Sequence, residues 1–351
     1  MPGRTEFQTA FAICAAIIGA GFASGREIVG FFSGMGSASW LGVITASGGI
    51  AGLTYVLLRL SGRVRAHSFP ALYGALMGSS CRDAVALLHG LMCLVTASAM
   101  LSAGSELGAL AFPWRYARAA GFLLTLLPAL AASVSGLRPL AMLGMLLAPL
   151  ILIYYLCMGQ NVSYPVGFSP RLLPASLAMG CLYAAFNAAL AGGTICLSAK
   201  DCSISAGRTA FLTGGMMFLL LSAANRTLLR AGDAVRQTAM PAVVLAAHWG
   251  ASGYYISILV IWLSVLTTLC AMLHSLAAQF TQLHAPRIAK LTACAAAASL
   301  LSVCGFRLLV DTLYPILGWV CSFVLLALIA FLPEENTKKS PSSLSWENRD
   351  E

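Results

Sequence analysis

Ten stretches of about 20 mostly apolar residues follow one another along this chain, and no polar stretch between them is long enough for a soluble domain. They lie at about 7–32, 38–60, 84–111, 116–135, 138–158, 172–198, 207–229, 253–283, 286–305 and 308–332. Each is long enough to cross a bilayer as a helix, with its backbone polar groups satisfied internally. The expected class is an all-α, multi-pass membrane protein with the lipid bilayer as its solvent. The remaining segment, 333–351, is polar and reads as a disordered tail.

Composition agrees and removes several function classes. Only 9% of the 351 residues are charged, against roughly 25% in a soluble domain. The net charge of +9 comes from Lys and Arg scattered between apolar runs, whereas nucleic acid needs a clustered basic face, so anionic lipid headgroups are the expected partner and nucleic acid is not. Of the 11 cysteines, Cys14, Cys93, Cys181, Cys270, Cys294 and Cys321 lie inside apolar runs and no C-x-x-C pair occurs, so they read as packing residues. His89, His248, His274 and His284 are isolated, and no H-E-x-x-H pattern is present. No cofactor and no metal centre is expected, a coupling sodium ion apart.

The first stretch imitates a secretory leader, with Arg4, the apolar run Phe11 to Ile18 and the small-x-small triplet Gly21, Phe22, Ala23. Glu6 dilutes the basic leader, and apolar character continues past the would-be cut through Ile28, Val29, Phe31 and Phe32, so a retained span is expected. Loop charge orients the bundle. With the N-terminus inside, Arg59, Arg63, Arg65, Lys200, Arg208 and Lys290 are among the residues of the cytoplasmic connections, which places both termini in the cytoplasm of a bacterial cell.

The pattern repeats at an offset of about 170 residues. In each half the second and third spans are separated by a longer connection with a semi-apolar stretch, "SFPALYGALMG" and "AMPAVVLAAHWG". Five spans per half make the second half inverted relative to the first, with repeats at 1–158 and 159–332. That is an inverted-repeat architecture of secondary transporters, in which the first helix of each repeat is broken at the midplane.

The stretch "IIGAGFASGREIVGFF" has the composition of such a break. Glycine is a poor interior helix former, and Gly19, Gly21 and Gly25 stand together near the middle of the first span. Gly21 and Gly25 also form a G-x-x-x-G pair, which by itself means only close helix contact; the repeat context favours the break. The matching sixth span has Tyr183, Phe186 and Asn187 at its middle, with Gly180, Gly192 and Gly193 around them. Asn187 in hydrocarbon needs a partner.

"GAGFASGREIVGFF" resembles the first-helix signature of the YkvI-type bacterial membrane proteins, related to the amino acid, polyamine and organocation transporter superfamily with the LeuT fold. The resemblance spans Phe7 to about Leu332 and implies a five-plus-five helix transporter with its ligand between helices 1, 3, 6 and 8. Similar sodium-coupled transporters place helix 8 hydroxyls beside first-helix carbonyls, here that of Ile18, and Ser264, Thr267 and Thr268 stand on one face of the eighth span with i, i+3, i+4 spacing. Intramembrane Ser and Thr also bond to their own helix carbonyls, which is the competing reading. Phe22 stands near where some relatives carry an ion-binding Asn, which argues against a second sodium site, and the fifth span has no Lys to carry a proton.

Four intramembrane charges, Arg26, Glu27, Glu106 and Asp311, gather toward the outer end, and an Arg26 to Asp311 pair is the candidate outer gate. Snorkelling of Arg26 and Glu27 to the headgroups is the plainer alternative. The amides of Gly19, Ala20 and Gly21 are expected to receive a carboxylate at a half-helix N-terminus, with Tyr183, Phe186 and Asn187 shaping the rest of the pocket. The expectation is therefore a LeuT-like secondary transporter of a small organic solute, an amino acid with sodium as coupling ion. A ligand sensor on the same scaffold, similar to germinant-receptor subunits, is the alternative. With no clustered nucleophile, base or metal motif, no enzyme is expected and no catalytic residue is assigned.

Overall fold

The computed structural model describes residues 5–135, 138–158, 167, 169–200, 204–280 and 285–332. The tail 333–351 and His284 lie outside them.

The first span is built in three pieces. Thr5 and Gln8 cap each other reciprocally to start the helix Glu6–Ile17. Ile18 and Gly19 leave helical geometry for extended backbone, a single turn follows at Ala20–Ala23, and the helix resumes at Arg26–Phe31. Gly25 joins the last two pieces with φ +82°, a left-handed conformation that L side chains rarely adopt. The glycine cluster thus divides the span twice.

The second to fifth spans are Ser39–Val64, Ser79–Ala111, Ala117–Ser135 and Arg138–Met158. The sixth is Leu173–Leu190 followed by Gly192–Ser198; the seventh, eighth and ninth are Ala206–Leu229, Gly250–Ala277 and Arg287–Ser302. The tenth starts at Phe306–Leu308 and passes through a π-helical turn at Leu309–Leu313 into Tyr314–Ile329. Among the described residues, seven helical stretches are long and apolar enough to cross a membrane unaided. The first span misses that measure because it is divided. The third span begins at Ser79 rather than 84: its first turn carries the Arg82–Asp83 ion pair, and a helix that projects beyond the hydrocarbon tolerates charges that end a hydropathy window. The two semi-apolar connections are both short helices, Phe69–Met77 and Pro241–Ala246, each with proline in its first turn, where a missing N–H costs nothing.

The sixth span is less broken than the sequence implies. Its interruption is a bend at Ala191, where the backbone stays near helical values and the Ile195 amide still bonds to the Ala191 carbonyl. Tyr183, Phe186 and Asn187 therefore ride on unbroken helix. Around this frame the second span packs on the sixth and seventh, the tenth packs on the sixth, and the third packs on the fourth and eighth. Asn225 of the seventh span accepts from the Ser33 hydroxyl and donates to that of Ser39, both at 3.0 Å, which ties the ends of spans one and two to span seven inside the apolar core.

Candidate binding site at the broken first helix

A helix broken inside an apolar bundle leaves carbonyls and amides that need partners. Two of the carbonyls, of Phe22 and Ala23, accept from the hydroxyl of Tyr155 at 2.8 and 3.2 Å, and the Gly21 carbonyl accepts from Ser24 Oγ at 3.2 Å. Tyr155 itself is held from the seventh span by Thr227, whose hydroxyl donates to the Tyr155 carbonyl. Sequence reasoning assigned Tyr155 no role. The available signal was a phenol inside an apolar span, which in hydrocarbon needs an acceptor.

The eighth span meets the break on another side. A Cβ placed on Gly19 would stand 3.4 Å from the Thr268 hydroxyl oxygen, so Thr268 faces the extended residues. Ser264 is buried and its hydroxyl has no hydrogen-bond partner. Thr267, by contrast, donates to the Ser264 carbonyl of its own helix at 3.0 Å. Of the three hydroxyls with helical spacing, Thr267 alone commits its proton to its own helix, and its oxygen keeps its lone pairs. Ile18, next to Gly19 in the chain, is buried at the C-terminal end of the first helical piece.

Opposite lie the aromatic residues of the sixth span. Tyr183 is fully buried, with the rings of Phe31 and Phe32 set edgewise on it at 5.2 and 5.0 Å, and Phe186 stacks on Tyr314 at 4.5 Å. Asn187 donates to the Tyr183 carbonyl one turn back, at 3.0 Å. The intrahelical bond is the partner that its burial required.

The charges divide into two groups. Arg26, 5% exposed, binds Asp311 through two parallel contacts, Nε to Oδ1 at 2.7 Å and Nη2 to Oδ2, and its Nη1 donates to the carbonyls of Arg236 and Thr238. The fork geometry of guanidinium and carboxylate makes this a well-matched pair. The π-helical turn that carries Asp311 also brings Arg307 to it at 3.4 Å. Glu106 does not join them: it pairs with Arg118 of the fourth span, while lining with Arg307 and Asp311 a cleft of about 370 Å³. Glu27 does not join them either. It is 3% exposed and folds back over the break, so that a Cβ on Gly21 would stand 2.5 Å from its Oε2. Successive residues on a helix point about 100° apart, which separates Arg26 from Glu27 once the third helical piece is docked. Glu27 is therefore corrected from an outer charge to a residue of the break itself. Another correction concerns the amides of Gly19, Ala20 and Gly21. They open a helix of four residues, too short to carry much macrodipole, so any anion they held would rest on the N–H groups alone.

No protein family model matches the chain. It is 26% identical over 349 residues to the uncharacterized membrane protein YkvI of Bacillus subtilis (strain 168), with 95% of this chain and 96% of that protein covered. The chain is similar to YkvI along nearly its whole length, and it has the LeuT fold. MhsT in complex with L-phenylalanine superposes with a TM-score of 0.66 at 14% identity over 92% of this chain and 88% of that one. The inward-facing conformation of Mhp1 gives 0.66 at 11% identity over 93% and 75%. In this LeuT-fold bundle the broken first helix, the hydroxyl face of the eighth span and the aromatic face of the sixth converge on one region. The Arg26–Asp311 pair lies five residues along the chain from Gly21, toward the cleft that holds Glu106.

Proposed function

We propose that this LeuT-fold protein is a secondary transporter that carries a small organic solute by alternating access, and that the solute is an amino acid or a close relative. The observation that carries the reading is the double interruption of the first span at Ile18–Gly19 and at Ser24–Gly25, inside a bundle where unwound backbone is tolerated only around a cavity or a ligand. The solute would lie between Gly19, Ala20 and Gly21 on one side and Tyr183, Phe186 and Asn187 on the other. Arg26 and Asp311 close the outer end in the orientation that the basic connections favour, with both termini in the cytoplasm. MhsT, a protein of the same fold, was solved with L-phenylalanine, which supports an amino acid as the solute class. Reconstituted in liposomes under an imposed sodium or proton gradient, the protein is expected to accumulate at least one amino acid or related solute. Robust binding with no gradient-driven uptake of any solute would replace this reading by the sensor.

Sodium is the proposed coupling ion, with the Ile18 carbonyl and the hydroxyls of Ser264, Thr267 and Thr268 as its oxygen ligands; Thr267 directs its proton to the Ser264 carbonyl, which leaves its oxygen lone pairs for the ion. Hard oxygen donors suit Na⁺, and half-helix ends contribute carbonyls. Thr268→Ala is expected to weaken solute binding at least about tenfold in sodium while leaving sodium-free binding unchanged, the usual worth of one charge-assisted contact. Calorimetric titration with and without sodium reads this directly, and an equal loss in both would remove the ion from Thr268.

A further inference from the structure

Glu27 stands apart from every other acidic residue near the break. It is 3% exposed, and its Oε1 has no hydrogen-bond partner. The ion pairs among the described residues join Arg26 and Arg307 to Asp311, Arg118 to Glu106, Arg236 to Asp233 and Arg82 to Asp83, and none includes Glu27. The guanidinium next to it in sequence is turned away and held by Asp311 and two carbonyls. The polar groups around Glu27 are uncharged: Tyr183 and Asn187 of the sixth span lie close enough to its carboxyl group to interact with it as hydrogen-bond donors, and Tyr155 of the fifth and Tyr314 of the tenth stand nearby. The Tyr183 hydroxyl is buried too, forms no well-aligned hydrogen bond, and has this carboxyl group as its polar neighbour. A lone carboxylate in such a place is costly, because burial removes its hydration and nothing returns the charge.

We propose that Glu27 is the seat for the cationic nitrogen of the transported solute, which restricts the solute to compounds carrying a protonated amine and excludes plain organic acids. An ammonium placed between Oε1 and the Tyr183 hydroxyl supplies the missing counter-charge and the missing hydrogen bonds together. Oε2 is the far end of a flexible side chain lying over Gly21, so the carboxylate can move with the incoming nitrogen while the glycine leaves room beneath it. This inference rests on the proposed binding site and specifies what that site selects.

The test uses purified full-length protein in detergent and a probe panel: the common L-amino acids, their des-amino acids and their decarboxylated amines, for example L-phenylalanine, 3-phenylpropionate and phenethylamine. Thermal unfolding is read first, and calorimetry follows on any responder. The expected result is stabilisation by at least one amine-bearing probe and none by its des-amino counterpart. E27Q should weaken that binding about 100-fold or more, the scale of removing one partner of a buried charge pair, and E27D should restore part of it. Without probe, E27Q should melt at or above wild type, since it removes an uncompensated charge; a clear drop would assign Glu27 a structural role and overturn the proposal. Equal response to des-amino acids, or no response to any amine, also overturns it, as does unchanged amine binding by E27Q, the result expected if a proton alone occupied the carboxylate. Amine-selective binding without uptake in liposomes would leave this seat standing and overturn transport; uptake of des-amino acids would do the reverse.

Discussion

Gly21→Leu should abolish solute uptake while the bundle still folds. A Cβ alone at this position would already stand 2.5 Å from Glu27 Oε2 and 3.3 Å from its Cβ, so the larger side chain must displace Glu27 and fill the space beside the break. Overpacking of this kind costs about 1–3 kcal/mol, less than the roughly 5–15 kcal/mol that holds a typical domain together. Function should therefore fail before the fold does. Uptake into liposomes falling to background, with helical content by circular dichroism unchanged, is the expected pair of results. Gly21→Ala should be intermediate, because Glu27 can swing aside from a methyl group. Uptake untouched by Gly21→Leu would show that the solute passes elsewhere.

The second large effect concerns the pair at the outer end. Arg26→Asp sets two carboxylates against each other and strips donors from the Arg236 and Thr238 carbonyls. Asp311→Arg places a cation against Arg26 and Arg307. Each alone should cost about 3–5 kcal/mol, the scale of breaking a buried pair, or a loss of activity of about 100-fold or more. The exchanged protein, Arg26→Asp with Asp311→Arg, should recover part of this, with a coupling energy of about 1–3 kcal/mol in the double-mutant cycle. Recovery should stay incomplete, because an aspartate at 26 cannot donate to the two carbonyls. Purely additive losses would show that the pair does not act as a unit during transport.

The part of the site that resides in backbone weakness was legible in the sequence. Gly19, Gly21 and Gly25 mark the first span as unable to hold one continuous helix, and the structure interrupts it beside each end of that cluster. The matched connections "SFPALYGALMG" and "AMPAVVLAAHWG" carry proline-started helical patterns and fold as short helices. In the sixth span the same logic overreached. Gly192 stands at the bend, but a Cβ there would stand 2.7 Å from the ring of Phe69. That glycine answers to a neighbour in another connection as well as to its own helix.

Side-chain direction was not legible. The Arg26–Asp311 pair was expected from the few intramembrane charges and is present, but nothing local says that Glu27, adjacent to Arg26 in the chain, folds over Gly21 instead of joining it; the docking of the third helical piece against spans six, seven and ten decides it. Glu106 shares a cleft with Asp311 yet bonds to Arg118, a partner 12 residues away on the next span, because depth in the membrane alone does not select between the two. Tyr155 satisfies carbonyls more than 130 positions earlier in the chain, and Ser264 and Thr268 are separated from Thr267 only by which hydroxyl gives its proton to its own helix.

The sequence by itself determined the ten spans and the place where the first of them breaks, because hydropathy and glycine content act within a single segment, whatever surrounds it. Only the tertiary structure decided that Glu106 pairs with Arg118 and that Glu27 is buried without an ion pair at the break, because in an apolar bundle those outcomes depend on which groups from distant segments come within hydrogen-bond reach.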